Sequence, residues 1–224
     1  MNQNPNNANI TIFDVCHTLF TANTTAGFIS HLQRRRGSLR QRLLVQAIRN
    51  RLSPVRYAAL IYSKLTKHDA PRDILISTLA GYPESELRQA AEDYASDLFS
   101  NQTIPETHSL LAAAQRSGDQ VVLVSNSLDI VIQAIAERFT CESVASKLAI
   151  ENGVCKGRLT ESLTGRKHIA VQELLETPNA NITVCTDNRS DVELLRRANR
   201  RIVVHHKPPA EELKRVATEF INVE

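Results

Sequence analysis

At 224 residues, 42% of them apolar and 23% charged, the chain can bury a substantial core, as one domain with an insertion or two small domains; this composition excludes a disordered chain. No apolar run approaches a membrane span, and the polar start "MNQNPNNA" lacks the basic and apolar parts of a secretory signal, so residues 1–8 are expected to be a flexible tail. The net charge of +3 hides an asymmetry: from His31 to Arg72 eleven Lys or Arg residues meet one acid, Asp69, so that segment carries +10 and the remainder −7.

In chain order, "ITIFDV" opens as a short apolar run ending at Asp14. From about Thr21 to Asn101 every pattern is helical: "TAGFISHLQRRR", "SLRQRLLVQAIRNRL", "PVRYAALIYSKLT", "PRDILISTLA" and "PESELRQAAEDYASDLFS". "PETHSLLAAAQRSGD" is a further helix, with Pro105 at its start and Gly118 at its stop. Then come the apolar run "QVVLVSNS", the helix "LDIVIQAIAERF", and "ASKLAIENGVCKGRL", whose alternation around Asn152-Gly153 predicts a hairpin with a type I′ turn. The helix "RKHIAVQELLE" leads into the run "NITVCTDN", and "SDVELLRRA" follows it behind a Ser190-Asp191 cap. The run "RIVVHHKPP" and the helix "PAEELKRVATEF" close the chain.

Four two-sided apolar runs alternating with helices imply an α/β fold with a doubly wound parallel-sheet core. The long interval between Asp14 and Ser125 exceeds what one crossover helix needs, so an all-α cap is expected over 21–101, with the core made of 9–20 and 102–224. Cys16, Cys141, Cys155 and Cys185 are scattered without CxxC pairs or His partners at zinc spacing. That pattern points to reduced thiols and a cytoplasmic location rather than a disulfide framework.

Open α/β sheets place their chemistry at the carboxyl ends of the strands. Here those ends offer Asp14 and Thr18, then Ser125, Asn126 and Ser127, then Asp187 and Asp191, with Lys167 opening the helix before the third run. Together these supply a carboxylate nucleophile, hydroxyl and backbone donors, a cation and a second acidic pair. A carboxylate can attack phosphorus. Oxygen ligands such as Asp14 and Asp187 suit Mg²⁺, and a lysine with a serine hydroxyl can stabilise a phosphoryl group in its transition state. Taken singly, Asp14 also reads as a turn residue, Asp187 as a helix-capping acid, Ser125 and Ser127 as caps of the next helix, and Lys167 as a surface lysine rivalled by Arg166.

Taken in order, the four motifs resemble the haloacid dehalogenase superfamily, in its phosphoserine-phosphatase-like branch. Asp14, Cys16 and Thr18 match a DxDxT motif with one departure; Ser125, Lys167, and the pair Asp187 and Asp191 match the second, third and fourth motifs. The Asn-Gly hairpin and the helical insertion fit that branch as well. The resemblance implies Asp14 as nucleophile, Thr18 supporting its loop, Ser125 and Asn126 at the phosphate, and Lys167 holding both phosphate and nucleophile. It implies Mg²⁺ held by Asp14, the backbone carbonyl of Cys16 and Asp187, with Asp191 supporting that site.

The family's second acid protonates the leaving group and later activates water; here that position is Cys16. A neutral thiol is a poor general base. Members of the superfamily carry a threonine, an alanine or an aromatic residue there, so the substitution changes the expected reaction without abolishing the site. His17 is a candidate substitute, against a plain loop histidine. His205-His206 reads as a strand end rather than a metal site.

The expectation is a Mg²⁺-dependent phosphatase acting on a small phosphomonoester through an aspartyl phosphate that hydrolyses slowly. A phosphotransferase with a long-lived intermediate and a catalytically silent phospho-ligand-binding module are the alternatives. In the stretch Arg34–Arg56, Leu39, Leu43, Leu44, Ala47, Ile48 and Leu52 form a stripe expected to be the buried face of a cap helix. The arginines there also suit an anionic substrate, an anionic surface or a lipid phosphate, whereas the lack of interleaved aromatics argues against nucleic acid.

Overall fold

Period-two alternation sets the layering of the sheet. In the computed structural model, which describes residues 8–66 and 69–223, strand β1 (Asn9–Phe13) sends Ile10 and Ile12 to one face and Phe13 to the other. Strand β2 (Gln120–Leu128) does the same with Val122 and Val124 against Val121 and Leu123. Both faces are therefore apolar and both are covered, as a parallel sheet requires. All but the last residue of the tail expected over 1–8 lies outside the described residues.

The sheet is completed by β3 (Glu142–Glu151), β4 (Val154–Glu161), β5 (Asn181–Thr186), β6 (Arg200–His205) and β7 (Glu219–Asn222). Its seven strands run in the order β4-β3-β2-β1-β5-β6-β7, parallel throughout except for β4, which turns back on β3. The chain leaves β1 toward β2 on one side and later fills β5 to β7 on the other. The topological switch therefore lies at β1, and a crevice opens at its carboxyl end. Register fixes what meets there: Phe13 pairs with Leu123 of β2 and Cys185 of β5, so Asp14 is level with Thr186.

Five helices intervene between β1 and the core helix α6 (Pro105–Arg116): α1 (Thr24–Arg36), α2 (Leu39–Arg49), α3 (Pro54–Thr66), α4 (Ala70–Ser77) and α5 (Glu84–Asn101). Asn23 caps α1 by accepting from the Ala26 N–H at 3.0 Å. Ser38 and Gln41 form a reciprocal capping box at α2. After β2 come α7 (Asp129–Phe139), the short α8 (Lys167–Ala170) and α9 (Gln172–Leu175), α10 (Val192–Arg196) and α11 (Glu211–Val216).

Several expectations need correction. The expected stripe is mostly not buried: of its members only Ile48 is inside, Leu44 and Ala47 are half-buried, and Leu39, Leu43 and Leu52 are exposed, while Val45, outside the stripe, is covered. At ~100° per residue the expected stripe spans about half of the helix circumference, and a helix packed on one side buries less than that. The helix "RKHIAVQELLE" breaks at Val171, whose backbone leaves the α region. The last helix stops at Val216; Ala217 is extended, and Thr218 donates its N–H to the Arg201 carbonyl at 2.8 Å, starting the unforeseen edge strand β7.

The Asn152-Gly153 turn has positive φ at both residues, 52° and 73°, as a type I′ turn requires. The hairpin it makes also touches the helical segment: Gly81 donates to the Cys155 carbonyl and Cys155 to the Tyr82 carbonyl, each at 2.9 Å. Gly157, with φ +66°, lets β4 approach α4 closely, since a Cβ there lies 2.8 Å from both Ala80 Cβ and the Ser77 carbonyl oxygen. Gly157→Ala is expected to cost about 2 kcal/mol, lowering the Tm by about 4–8 °C by calorimetry. An unshifted melting temperature contradicts this account of the contact.

Candidate active site

Lys167 is the centre of the site and is 2% exposed. Its Nζ lies 2.8 Å from Asp14 Oδ1 and 2.7 Å from Asp191 Oδ2, so one ammonium ties β1 to the loop after β5. Arg166, the neighbour that rivalled it in sequence, is exposed. Asp191 Oδ2 also accepts from Thr186 Oγ1 at 2.7 Å, and Thr186 Oγ1 accepts from the Asn188 N–H at 3.0 Å. Thr18 Oγ1 donates to Asp187 Oδ1 at 3.2 Å and accepts from the Asp187 N–H at 3.0 Å, closing the first motif on the fourth.

Burial raises the Asp14 carboxyl from 3.8 to about 7, opposed by Lys167 and reinforced by Asp191 and Asp187. Burial likewise raises Asp187, against the lowering effect of the Thr18 hydrogen bond. Burial alone would lower Lys167, yet Asp14 and Asp191 hold its ammonium above its ordinary 10.5. Three carboxylates thus share one cation, leaving an excess of negative charge among hard oxygen donors. That donor set fits a hard divalent cation such as Mg²⁺. Among the described residues no group of three or more His, Cys, Asp or Glu side chains is gathered as a ligand cluster, so backbone carbonyls and water must complete any such sphere.

On the other side of β1, Ser125 is fully buried and its Oγ accepts from the Ser127 N–H at 3.2 Å. Ser127 Oγ meets Thr25 Oγ1 of α1 at 2.8 Å. Neither serine caps α7, because Leu128 occupies the capping position. The Asn126 carbonyl accepts from Ser146 Oγ at 2.9 Å and from the Arg72 guanidinium, while Asn126 Oδ1 is buried without a partner among the described residues. Asn188, rather than Ser190, caps the turn Arg189–Asp191, with its side chain accepting from the Ser190 N–H at 3.0 Å.

Cys16 Sγ faces Thr24 Oγ1 at 2.9 Å, and burial together with the Asp14 charge raises its thiol above the ordinary 9.0. The thiol is therefore neutral near pH 7. His17 has φ 55°, its carbonyl accepts from His206 Nε2 at 2.9 Å, and burial and His206 lower its imidazole from 6.5. Asp14, Cys16, His17, Ser125, Asn126 and Asp187 open on one pocket of about 530 Å³, whose far wall is cationic, from Arg49, Arg56 and Arg72 of the helical segment.

A sequence profile of the haloacid dehalogenase-like hydrolases matches residues 11–196, the span that contains all four motifs. The chain belongs to that family. Among solved structures, this haloacid dehalogenase-like hydrolase is similar to a protein of unknown function from Bordetella pertussis Tohama I, with 18% identity, TM-score 0.76 and coverage of 96% of this chain and 99% of that one. A HAD family hydrolase from Salmonella enterica subsp. enterica serovar Typhi shares 19% identity over 97% of this chain and 68% of its own, with TM-score 0.65. A phosphoserine phosphatase in its apo form shares 15% identity over 96% and 94% of the two chains, with TM-score 0.62. At these identities the likeness is one of fold. Among curated proteins none matches.

The fold brings every residue of the four motifs to one crevice. What sequence reading missed is the support around them. Thr186 ends an apolar run and gave no signal of its own beyond a hydroxyl at the strand end. Arg72 stands in a basic run that gives it no signal of its own, yet it reaches from α4 to the Asn126 carbonyl and, at 2.9 Å, to Thr164 Oγ1. Thr24 and Thr25 stood in plain sight in "TANTT" at a helix start, yet only the fold shows that they meet Cys16 and Ser127.

Proposed function

We propose that this protein is a Mg²⁺-dependent phosphatase-type hydrolase that transfers the phosphoryl group of a small phosphomonoester to Asp14 and then to water. The observation that supports this best is Lys167 bridging Asp14 and Asp191 at hydrogen-bond distance beneath a cation-walled pocket. The helical segment 21–101 acts as the cap that selects the ester, and the protein works in the cytoplasm. Asp14, Asp187 and the Cys16 carbonyl would hold the metal, which when bound would offset phosphoryl charge and keep Asp14 ionised. Asp191, occupied by Lys167 and Thr186, acts as a positioning residue for the lysine.

Lys167 engages Asp14 Oδ1, so attack on phosphorus falls to Oδ2. The new O–P bond forms as the ester O–P bond breaks, and the alcohol leaves with the electron pair and takes up a proton. Ser125, the backbone around Asn126 and Lys167 hold the phosphoryl oxygens. Water then attacks the phosphorus of the aspartyl phosphate, releasing phosphate and restoring the carboxylate. Cys16 supports a second reading of the same site: a neutral thiol where a base is needed lengthens the life of the intermediate, so an added alcohol competes with water as phosphoryl acceptor. Mg²⁺-dependent hydrolysis of p-nitrophenyl phosphate tests the proposal. Activity is expected in the wild type and a loss of at least ~10³-fold in Asp14→Asn, as follows from removing a covalent nucleophile. Equal activity in both proteins excludes Asp14 as nucleophile. Ligand-induced stabilisation without any phosphate release, in wild type and Cys16→Asp alike, points instead to a binding module.

A further inference from the structure

Of the eleven large apolar side chains exposed among the described residues, nine lie between Leu39 and Leu65. Leu52, Leu65 and Leu39 are the most open, at 83%, 80% and 74%. On α3, Tyr57, Ile61 and Leu65 recur at four-residue steps and so share one face, as do Leu39 and Leu43 on α2. Among the described residues no helix is long and apolar enough to cross a membrane, so a bilayer would be met by the surface of these helices.

Charge identifies what that surface is. No Asp or Glu occurs between Asp14 and Asp69, and this interval holds ten of the chain's 27 Lys and Arg residues. Arg40, Arg51 and Lys64 flank the apolar face, are exposed, and enter no ion pair among the described residues. Two copies of such a face repel each other, which disfavours a self-paired dimer. Nucleic acid complements the charge but has no use for exposed aliphatic side chains. An anionic bilayer satisfies both features, with arginines among headgroups and leucines below them.

We propose that α2 and α3 form a docking face for an anionic lipid bilayer. The same two helices contribute Arg49, Arg56 and Leu60 to the pocket wall, so docking holds the pocket near the headgroup layer.

The test is co-sedimentation of the full chain with phosphatidylglycerol–phosphatidylcholine vesicles and with phosphatidylcholine vesicles alone. Partitioning is expected to be at least tenfold stronger on the anionic vesicles and to weaken as salt rises. Arg40→Gln with Arg51→Gln should lower it about fivefold per charge removed, and Leu52→Gln with Leu65→Gln about tenfold or more. None of these four side chains lines the pocket, and all are exposed, so folding is preserved and circular dichroism verifies it. Equal binding to both vesicle types overturns the proposal, as does anionic binding that survives both double substitutions. A concentration-dependent dimer in sedimentation velocity, abolished by Leu52→Gln with Leu65→Gln, overturns it in favour of a second copy. Binding of an RNA oligonucleotide as tight as that of the vesicles, unaffected by the leucine substitutions, overturns it in favour of nucleic acid.

Discussion

Cys16→Asp is expected to raise the steady-state rate of p-nitrophenyl phosphate hydrolysis by ~10²–10⁴-fold, the usual worth of a positioned acid–base group. The leaving group of this ester needs little protonation, so formation of the aspartyl phosphate is fast in either protein and the gain falls on its hydrolysis. Wild type should therefore release p-nitrophenolate in a burst equal to the enzyme present, followed by slow turnover. The burst should disappear in Cys16→Asp. The new carboxylate replaces a thiol that sits 2.9 Å from Thr24 Oγ1 and is kept neutral by burial and by Asp14. Those same influences raise an aspartate's pKa toward neutrality, where an acid that must later act as a base is most useful. The gain carries a cost in fold stability: a fourth acid beside Asp14, Asp187 and Asp191 should destabilise the metal-free protein by about 1–3 kcal/mol and enlarge the stabilisation by Mg²⁺. A burst retained with an unchanged slow phase refutes the idea that residue 16 limits turnover.

Which parts of this were legible in sequence follows from which forces act locally. The runs around Ile10–Phe13, Val121–Val124, Ile182–Cys185 and Ile202–Val204 are buried on both faces, so their apolarity is continuous and their ends are sharp. Asp14 and Asp187 then follow directly at the carboxyl ends, because a parallel sheet exposes its loops there, whereas Ser125 lies inside β2, ahead of the irregular pairing that closes the strand. Strand β7 was not legible: four residues on an exposed edge, with Phe220 half open, carry almost no burial signal. Nor was the outer face of α2 and α3. Apolar periodicity says that one face of a helix wants to leave water, and only the fold shows that Val45 and Ile48 are covered while Leu39 and Leu43 are not. Arg72 was invisible for a related reason. Its partners Asn126, Ser162 and Thr164 lie between 54 and 92 residues away, and no local pattern encodes such a reach.

Lys167→Met is expected to destabilise the metal-free protein by about 3–5 kcal/mol, because removing one partner of a buried ion pair strands the others. Asp14 and Asp191, 4% and 2% exposed, lose the ammonium that sits within 2.8 Å of both. Urea denaturation in excess chelator at pH 7 measures the effect. Its pH dependence has a definite sign. The folded-state carboxyl of Asp14 stands at about 7, above its ordinary 3.8, so folding takes up a proton there. This contribution is fully present below 3.8 and is lost as pH rises through 7. Without the lysine, the cause that lowers Asp14 is gone; its pKa climbs further, and stability should fall more steeply between pH 4 and 8 than in wild type. Adding Asp191→Asn removes the neighbouring charge and should recover a large part of the loss, since Asp14 can then be buried as a neutral acid. A double variant no more stable than Lys167→Met assigns the loss to packing of the lysine's alkyl chain rather than to unpaired charge.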